Sequence, residues 1–229
     1  MAKIGLNNFK YGILTEAEDG TPKYGGAKSF GKAVECKVSI ENNSAELYAD
    51  DGLAESDYSF KKGTVTLTVD EENDKIFAEL LGHTLTEEYV ATKDKTPSTS
   101  KTYYTKTGDS YTKFTGESFT SSTTYYEKNE NGGEVVKKDT DTPPFVGVGR
   151  IITKVVNGVY KYKAEFLVKV KFAEPSPEEK TKGEEVEFAT TEVEGTVMKL
   201  ADGTWCKSKT FETKEEAVTY LTNLMKASE

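Results

Sequence analysis

The sequence predicts a mainly β fold, an antiparallel sandwich or barrel carrying one short flanking helix and one C-terminal helix, and three observations carry that prediction. Val34, Cys36, Val38 and Ile40 alternate with Glu35, Lys37, Ser39 and Glu41, the period-two pattern of a strand with one buried face. Asn157-Gly158 stands between two β-rich runs, the preferred two-residue hairpin turn. Only two stretches change to helical spacing, and both carry capping signals.

In chain order, the strand from Ala33 leads into NNSAELYADDGLAESDYSFKKG, which has few strand formers and reads as a long acidic loop around Asp50 to Ser59. Thr64 to Val69 then alternates again, with Val65, Leu67 and Val69 on one face. In EENDKIFAELLGHT, Ile76, Phe77, Leu80 and Leu81 recur at helical spacing. Asn73 serves as the N-cap and Gly82 as a left-handed C-cap. His83, the single histidine, falls at that helix end, where a cation would suit the dipole, and no neighbour in sequence equips it for catalysis.

The hairpin around Asn157-Gly158 loses its alternation at Phe166-Leu167-Val168, which implies burial on both faces or a bulge. After the acidic stretch containing Glu178, Glu179, Glu184, Glu185 and Glu187, two further strands are expected. Ala201-Asp202-Gly203 joins them as a hairpin turn. Thr213 and Glu216 form a capping box ahead of a helix with Ala217, Tyr220, Leu221 and Leu224 on one stripe.

An insert interrupts this order. Lys93 to Asp139 holds eight lysines against seven acids, a charge of +1, while the rest of the chain carries −10. Thr-Tyr-Tyr-Thr-Lys at Thr102 to Lys106 returns as Thr-Tyr-Tyr-Glu-Lys at Thr124 to Lys128. Tyr103, Tyr104, Tyr111, Phe114, Phe119, Tyr125 and Tyr126 supply nearly all the hydrophobic surface, so a small Tyr/Thr hairpin module is expected. Those rings read either as an exposed carbohydrate-binding platform or as the small core of an exposed decoration. The domain division expected is therefore 1–92 with 140–229, interrupted by 93–139.

Composition excludes several functions. With 39 acidic and 30 basic residues the net charge is −9, which disfavours nucleic acid or an anionic membrane as a partner held by long-range attraction. Cys36 and Cys206 are isolated, without metal-ligand spacing, and read as two reduced thiols. No Ser/His/Asp arrangement or phosphate-cradling glycine loop is present, so the chain is expected not to be an enzyme and to need no cofactor or metal. MAKIGLNNFKYGILTEAEDG lacks the apolar run of a secretion signal, and no segment reaches the length of a membrane span, so a soluble protein made in a cytoplasm is expected.

Three stretches carry a resemblance: NNFKYGILTE, then VSIENNSAELYADDGLAESDYSFKKGTVTLTVDE with LLGHT, then PPFVGVGRIITKVVNGVYKYKAEFLVKVKFAEPSPEEKTKGEEVEFATTEVEGTV. Together they resemble the major tail protein family of long, non-contractile-tailed phages of Gram-positive bacteria, over most of Met1 to Val90 and Thr142 to about Lys199. The resemblance implies a structural virion protein whose copies close into six-fold rings, stacked into a tube through which DNA passes. It further implies other tail proteins, such as tape measure and tail terminator, as partners. The loop Ala45 to Ser59 resembles the hairpin that contacts the neighbouring ring, with Leu47, Tyr48, Leu53 and Tyr58 as apolar anchors and Asp50, Asp51, Glu55 and Asp57 facing the lumen or the next ring. The insert departs from the family pattern and is expected on the outer wall, where it decorates the tube or touches host surface glycans. The tube of a phage-tail-like bacteriocin, or a carbohydrate-binding β protein using the insert, are the alternatives.

Overall fold

The computed structural model describes residues 2–49, 52–70, 73–175 and 190–226, with side chains except at 2–4, 45–49, 52–57 and 130–132. The chain is mainly β and antiparallel, and it divides into two compact units, residues 1–82 with 142–229 and residues 83–141. The acidic stretch from Glu178 to Glu187 lies outside the described residues.

The larger unit is built on one sheet. Its strands are β1 (Ala2–Glu16), β2 (Pro22–Tyr24), β3 (Lys28–Ser29), β4 (Ala33–Ala49), β5 (Gly52–Val69), β10 (Val146–Val156), β11 (Val159–Phe172), β12 (Thr191–Met198) and β13 (Cys206–Phe211). Their order is β2-β1-β10-β11-β12-β5-β4, with β3 on β1 and β13 on β11. Helices α1 (Asp74–Leu81) and α2 (Lys214–Leu224) complete the unit.

Both sides of this sheet are covered. Val65, Leu67, Val69, Val148, Leu167, Val170 and Phe172 form one core with Phe77, Leu80 and Leu81 of α1. Ile151, Ala164, Phe166 and Val168 form the other with Ala217 and Leu221 of α2. Phe166, Leu167 and Val168 are therefore all buried, and the broken alternation expected there marks a change of side. Ala164, Phe166 and Val168 belong to the α2 core, Val170 and Phe172 to the α1 core, and the β10 register slips between Val146 and Val148.

At the same place β11 changes partner. Tyr162–Leu167 pairs with β13 and Lys169–Phe172 with β12. The turn at Ala201-Asp202-Gly203 forms, closed by Leu200 N–H donating to Thr204 O at 2.8 Å, with Gly203 at φ 86°. The expected hairpin does not form, because the two strands pair end to end along β11 instead of with each other.

Local chemistry fixes the helices as the sequence predicts. Asn73 accepts from Lys75 N and Ile76 N, and Gly82 at φ 76° closes α1. Tyr11 donates to Glu79 Oε2 at 2.6 Å, fastening α1 to β1, and burial together with that carboxylate raises the tyrosine pKa. Thr213 and Glu216 form the reciprocal capping box of α2. On β10, Gly147 leaves room for the Phe166 and Tyr24 rings, each 2.5 Å from where its Cβ would stand, and Gly149 leaves room for the end of α2, where a Cβ would meet Met225 at 2.6 Å.

The smaller unit is a four-stranded sheet of β6 (Thr84–Ala91), β7 (Tyr103–Thr107), β8 (Ser110–Lys113) and β9 (Tyr125–Val136), ordered β6-β9-β7-β8. It begins earlier than composition indicates, at His83 and not Lys93, because β6 pairs with β9 and Tyr89 stacks on Tyr111 at 4.0 Å. TLTEEYVA reads as an ordinary strand, so composition gives no signal of its allegiance.

Candidate functional site

The segment read as an acidic loop is a hairpin. β4 and β5 pair from Ala33 opposite Val69 to Ala49 opposite Gly52, with register shifts between Glu41 and Asn42 and between Leu47 and Tyr48. Strand propensity is low along this polar segment, but pairing along one ladder satisfies its backbone groups all the same. Leu47 lies opposite Glu55, Tyr48 opposite Leu53, Ala45 opposite Asp57 and Ser44 opposite Tyr58, whose side chain is 62% exposed. Asp50 and Asp51 lie outside the described residues.

Two strand edges lack a ladder partner among the described residues, and within the unit they line one cleft through Gly5 and Leu6 of β1 and Cys36 and Val38 of β4. β4 pairs only with β5, and β1 pairs only with β10 from Ala2 until Lys10, where β3 joins it. Val170, Val197 and Gly63 share one row across β11, β12 and β5. From that row β11 runs back toward Val159 and β5 back toward Gly52 in the same direction, so both hairpin turns project from one end of the sheet. The β10–β11 turn is the Asn157-Gly158 pair, with both residues at positive φ, and beside it Val159 and Tyr160 are exposed.

The sheet curls until β4 approaches β10. Arg150 reaches from β10 to donate to Cys36 O at 3.2 Å and to Cys36 Sγ at 3.1 Å. It also donates through Nε to Glu165 Oε2 at 2.7 Å, and Lys163 donates to Glu165 Oε1 at 2.9 Å. Desolvation would raise the Glu165 pKa, but Arg150 and Lys163 outweigh it and hold the carboxyl below its ordinary value. Sequence reasoning found none of this cluster, because its members are far apart in the chain and resemble surface charges of a strand.

The thiols are held neutral. Desolvation raises Cys36 above its ordinary value and pushes Cys206 up to about 11, the reverse of what a reactive thiolate needs. Among the described residues no cluster of His, Cys, Asp or Glu could hold a metal ion. No described helix is long and apolar enough to cross a membrane.

In the smaller unit the aromatic residues form two layers. Tyr103, Phe114, Phe119 and Tyr125 pack together, with Phe119 stacked on Tyr125 at 4.0 Å. Tyr89, Tyr104, Tyr111 and Tyr126 pack as a second group, and Lys106 Nζ sits 5.4 Å from the Tyr111 ring centre. The expectation of an exposed aromatic module is corrected for Tyr103 and Tyr125, which are 3% and 6% exposed; Tyr104, Tyr111, Phe114, Phe119 and Tyr126 are half-buried. A unit almost without aliphatic side chains spends its rings on its own core.

The repeated Thr-Tyr-Tyr has a structural reason. Tyr104 lies opposite Tyr126 in the antiparallel β7–β9 pair. The first tyrosine of each copy turns its hydroxyl back to a backbone N–H: Ser98 N donates to Tyr103 Oη and Thr120 N to Tyr125 Oη, both at 3.1 Å. Each of those upstream residues opens a turn, closed by Lys101 N to Ser98 O and by Thr123 N to Thr120 O. The repeat therefore extends over Ser98–Lys106 and Thr120–Lys128 as a duplicated turn-and-strand unit.

The ends of the smaller unit meet at His83, whose Nδ1 lies 2.8 Å from Asp141 Oδ2, both side chains being nearly enclosed. Lys138 N–H and His83 keep the Asp141 carboxyl below its ordinary pKa. In the larger unit the chain departs and returns at one place, since a Cβ on Gly82 would lie 2.5 Å from Thr142 O.

No protein-family model matches the sequence, and no curated protein matches it significantly.

Proposed function

We propose that this chain is a structural subunit that assembles with copies of itself into rings stacked as a tube, the tail tube of a long, non-contractile-tailed phage. The reading is carried by one observation, a sheet with an open edge on β1 and another on β4, next to hairpins projecting from one end. Two unlike open edges on one subunit give a head-to-tail contact, which closes into a ring when the rotation between copies divides a full turn. Main-chain hydrogen bonds would continue the sheet from copy to copy. The resemblance of the β1, β4–β5 and β10–β12 segments to major tail proteins supplies the six-fold count and the virion setting.

In this reading the chain catalyses nothing, and DNA is a passenger. A channel lined by a protein of net charge −9 repels phosphates and lets the duplex slide. The β4–β5 arm is the assembly element, with Leu47, Tyr48, Leu53 and Tyr58 as apolar contacts, and tape-measure and terminator proteins complete the tail. Replacing Leu53 and Tyr58 together by Asp tests this. The account expects a folded subunit whose sedimentation shows no large assemblies, and tubes of normal length from that variant would remove the arm from the assembly contact.

A further inference from the structure

Three lysines stand in one row across the larger unit's sheet. Lys3 of β1 lies opposite Lys154 of β10, and Lys154 lies opposite Lys161 of β11. Directly opposed like charges destabilise a sheet, and neither Ala2–Lys10 nor Arg150–Lys163 contains an acid to offset them. Lys161 is paired with Glu212, whose side chain is 72% exposed. Lys154 has no ion-pair partner among the described residues. Glu212 answers Lys161, so it is Lys154, at the centre of the row, that calls for an anionic partner from outside the unit.

The opposite edge of the same sheet has the reverse composition. From Asn42 to Phe60 the sequence of the β4–β5 arm carries Glu46, Asp50, Asp51, Glu55 and Asp57 and no Lys or Arg. Glu46 lies opposite Ser56, Glu55 opposite Leu47 and Asp57 opposite Ala45, so none has a cation across the ladder. Both hairpins project from the same end, and each lies beside an open edge. Two copies set side by side, β4 of one against β1 of the next, bring the acidic arm of the first to the lysine row of the second.

We propose that the β4–β5 arm of each copy seats on the Lys3–Lys154–Lys161 row of its neighbour within the same ring. This rests on the assembly reading above and moves the arm's principal contact from the next ring to the adjacent subunit. Charge complementarity of this kind sets register and speeds encounter. It is screened within about 10 Å at 0.1 M salt, so assembly slows as salt rises.

A charge-swap experiment tests it. One variant reverses the row (Lys3→Glu with Lys154→Glu) and the other reverses the arm (Glu46→Lys, Glu55→Lys and Asp57→Lys); circular dichroism checks that each is folded. Alone, each variant meets like charge at every contact, and its assembly rate by light scattering is expected to fall roughly tenfold or more. Mixed in equal amounts they complement each other in alternation around a six-fold ring, and assembly is expected to recover, with both variants cross-linked as neighbours.

Wild-type rates from either variant alone, or a mixture no better than its parts while the wild-type chain forms tubes, would overturn the pairing and leave the tube reading intact. Normal assembly of the row variant with lost retention of a DNA duplex would overturn it in favour of a nucleic-acid surface. A wild-type chain that forms no assembly, with no cross-linked pairs in the mixture, would overturn both readings.

Discussion

The two units of this chain solve the same problem with different chemistry. The larger one buries aliphatic side chains on both sides of a long sheet, so its hydrophobic cores carry its stability. The smaller one has Leu85, Val90, Val135 and Val136 as its few large aliphatics and builds its interior from tyrosine and phenylalanine rings. Its Tyr103 and Tyr125 hydroxyls then satisfy backbone N–H groups of the Ser/Thr turns. Ring packing and turn hydrogen bonds replace aliphatic bulk, and a small sheet becomes possible from a sequence that reads as low complexity.

Substitutions sharpen that contrast, the largest effect first. Phe166→Ala empties a site 1% exposed, packed against Tyr24 at 5.2 Å. It should destabilise the larger unit by roughly 3–5 kcal/mol. Chemical denaturation followed at Trp205, in the larger unit, reads the loss directly; an unshifted midpoint would mean the α2 side is not a stabilising core.

Tyr125→Ala should cost the smaller unit roughly 3 kcal/mol by removing the Phe119 stack, while Tyr125→Phe should cost about 1 kcal/mol for the Thr120 hydrogen bond. Amide exchange within β7 and β9 separates the two variants. Equal effects would mean that the ring stack contributes nothing, and a Phe variant as stable as the wild type would mean that the hydroxyl contributes nothing.

Glu165→Gln leaves Arg150 and Lys163 without their carboxylate partner and should cost about 2 kcal/mol, less than a fully enclosed pair because part of the cluster is wet. The sign of its pH dependence follows from the depressed pKa. The contribution of Glu165 is fully present above the unfolded carboxylate value near 4.3 and is lost as pH falls through the lower folded value. Acid titration of stability should therefore be flatter in the Gln variant; an identical acid slope would remove the Arg150 cluster from the account.

The smallest effect expected is on the larger unit when the smaller is excised. Replacing residues 83–141 by a short Gly/Ser linker joins two points already adjacent at Gly82 and Thr142. The melting transition of the larger unit should shift by no more than a few degrees, and a collapse of that transition would show that the units share a core.

The sequence made some of this legible. Period-two alternation in β5, the capping residues Asn73, Gly82, Thr213 and Glu216, and the turn at Asn157-Gly158 act through neighbours in the chain and can be read there. Other features depend on which strand lies beside which. Ala201-Asp202-Gly203 makes its turn, yet β12 and β13 both take β11 as partner, and no local signal encodes that choice. β6 joins the smaller unit for the same reason. The lysine row is invisible in sequence because Lys3, Lys154 and Lys161 become neighbours only through register. The aromatic repeat was visible, but whether its rings faced solvent depended on the packing of Phe119 against Tyr125.

The central claim is that copies of this chain build a tube. Negative-stain electron microscopy of the purified protein at high concentration and low salt, with light scattering on the same sample, tests it most directly. The account predicts rings or hollow tubes with six-fold end views; a chain that remains a monomer under those conditions, is absent from tail particles and is retained on glycan-coated beads would contradict it.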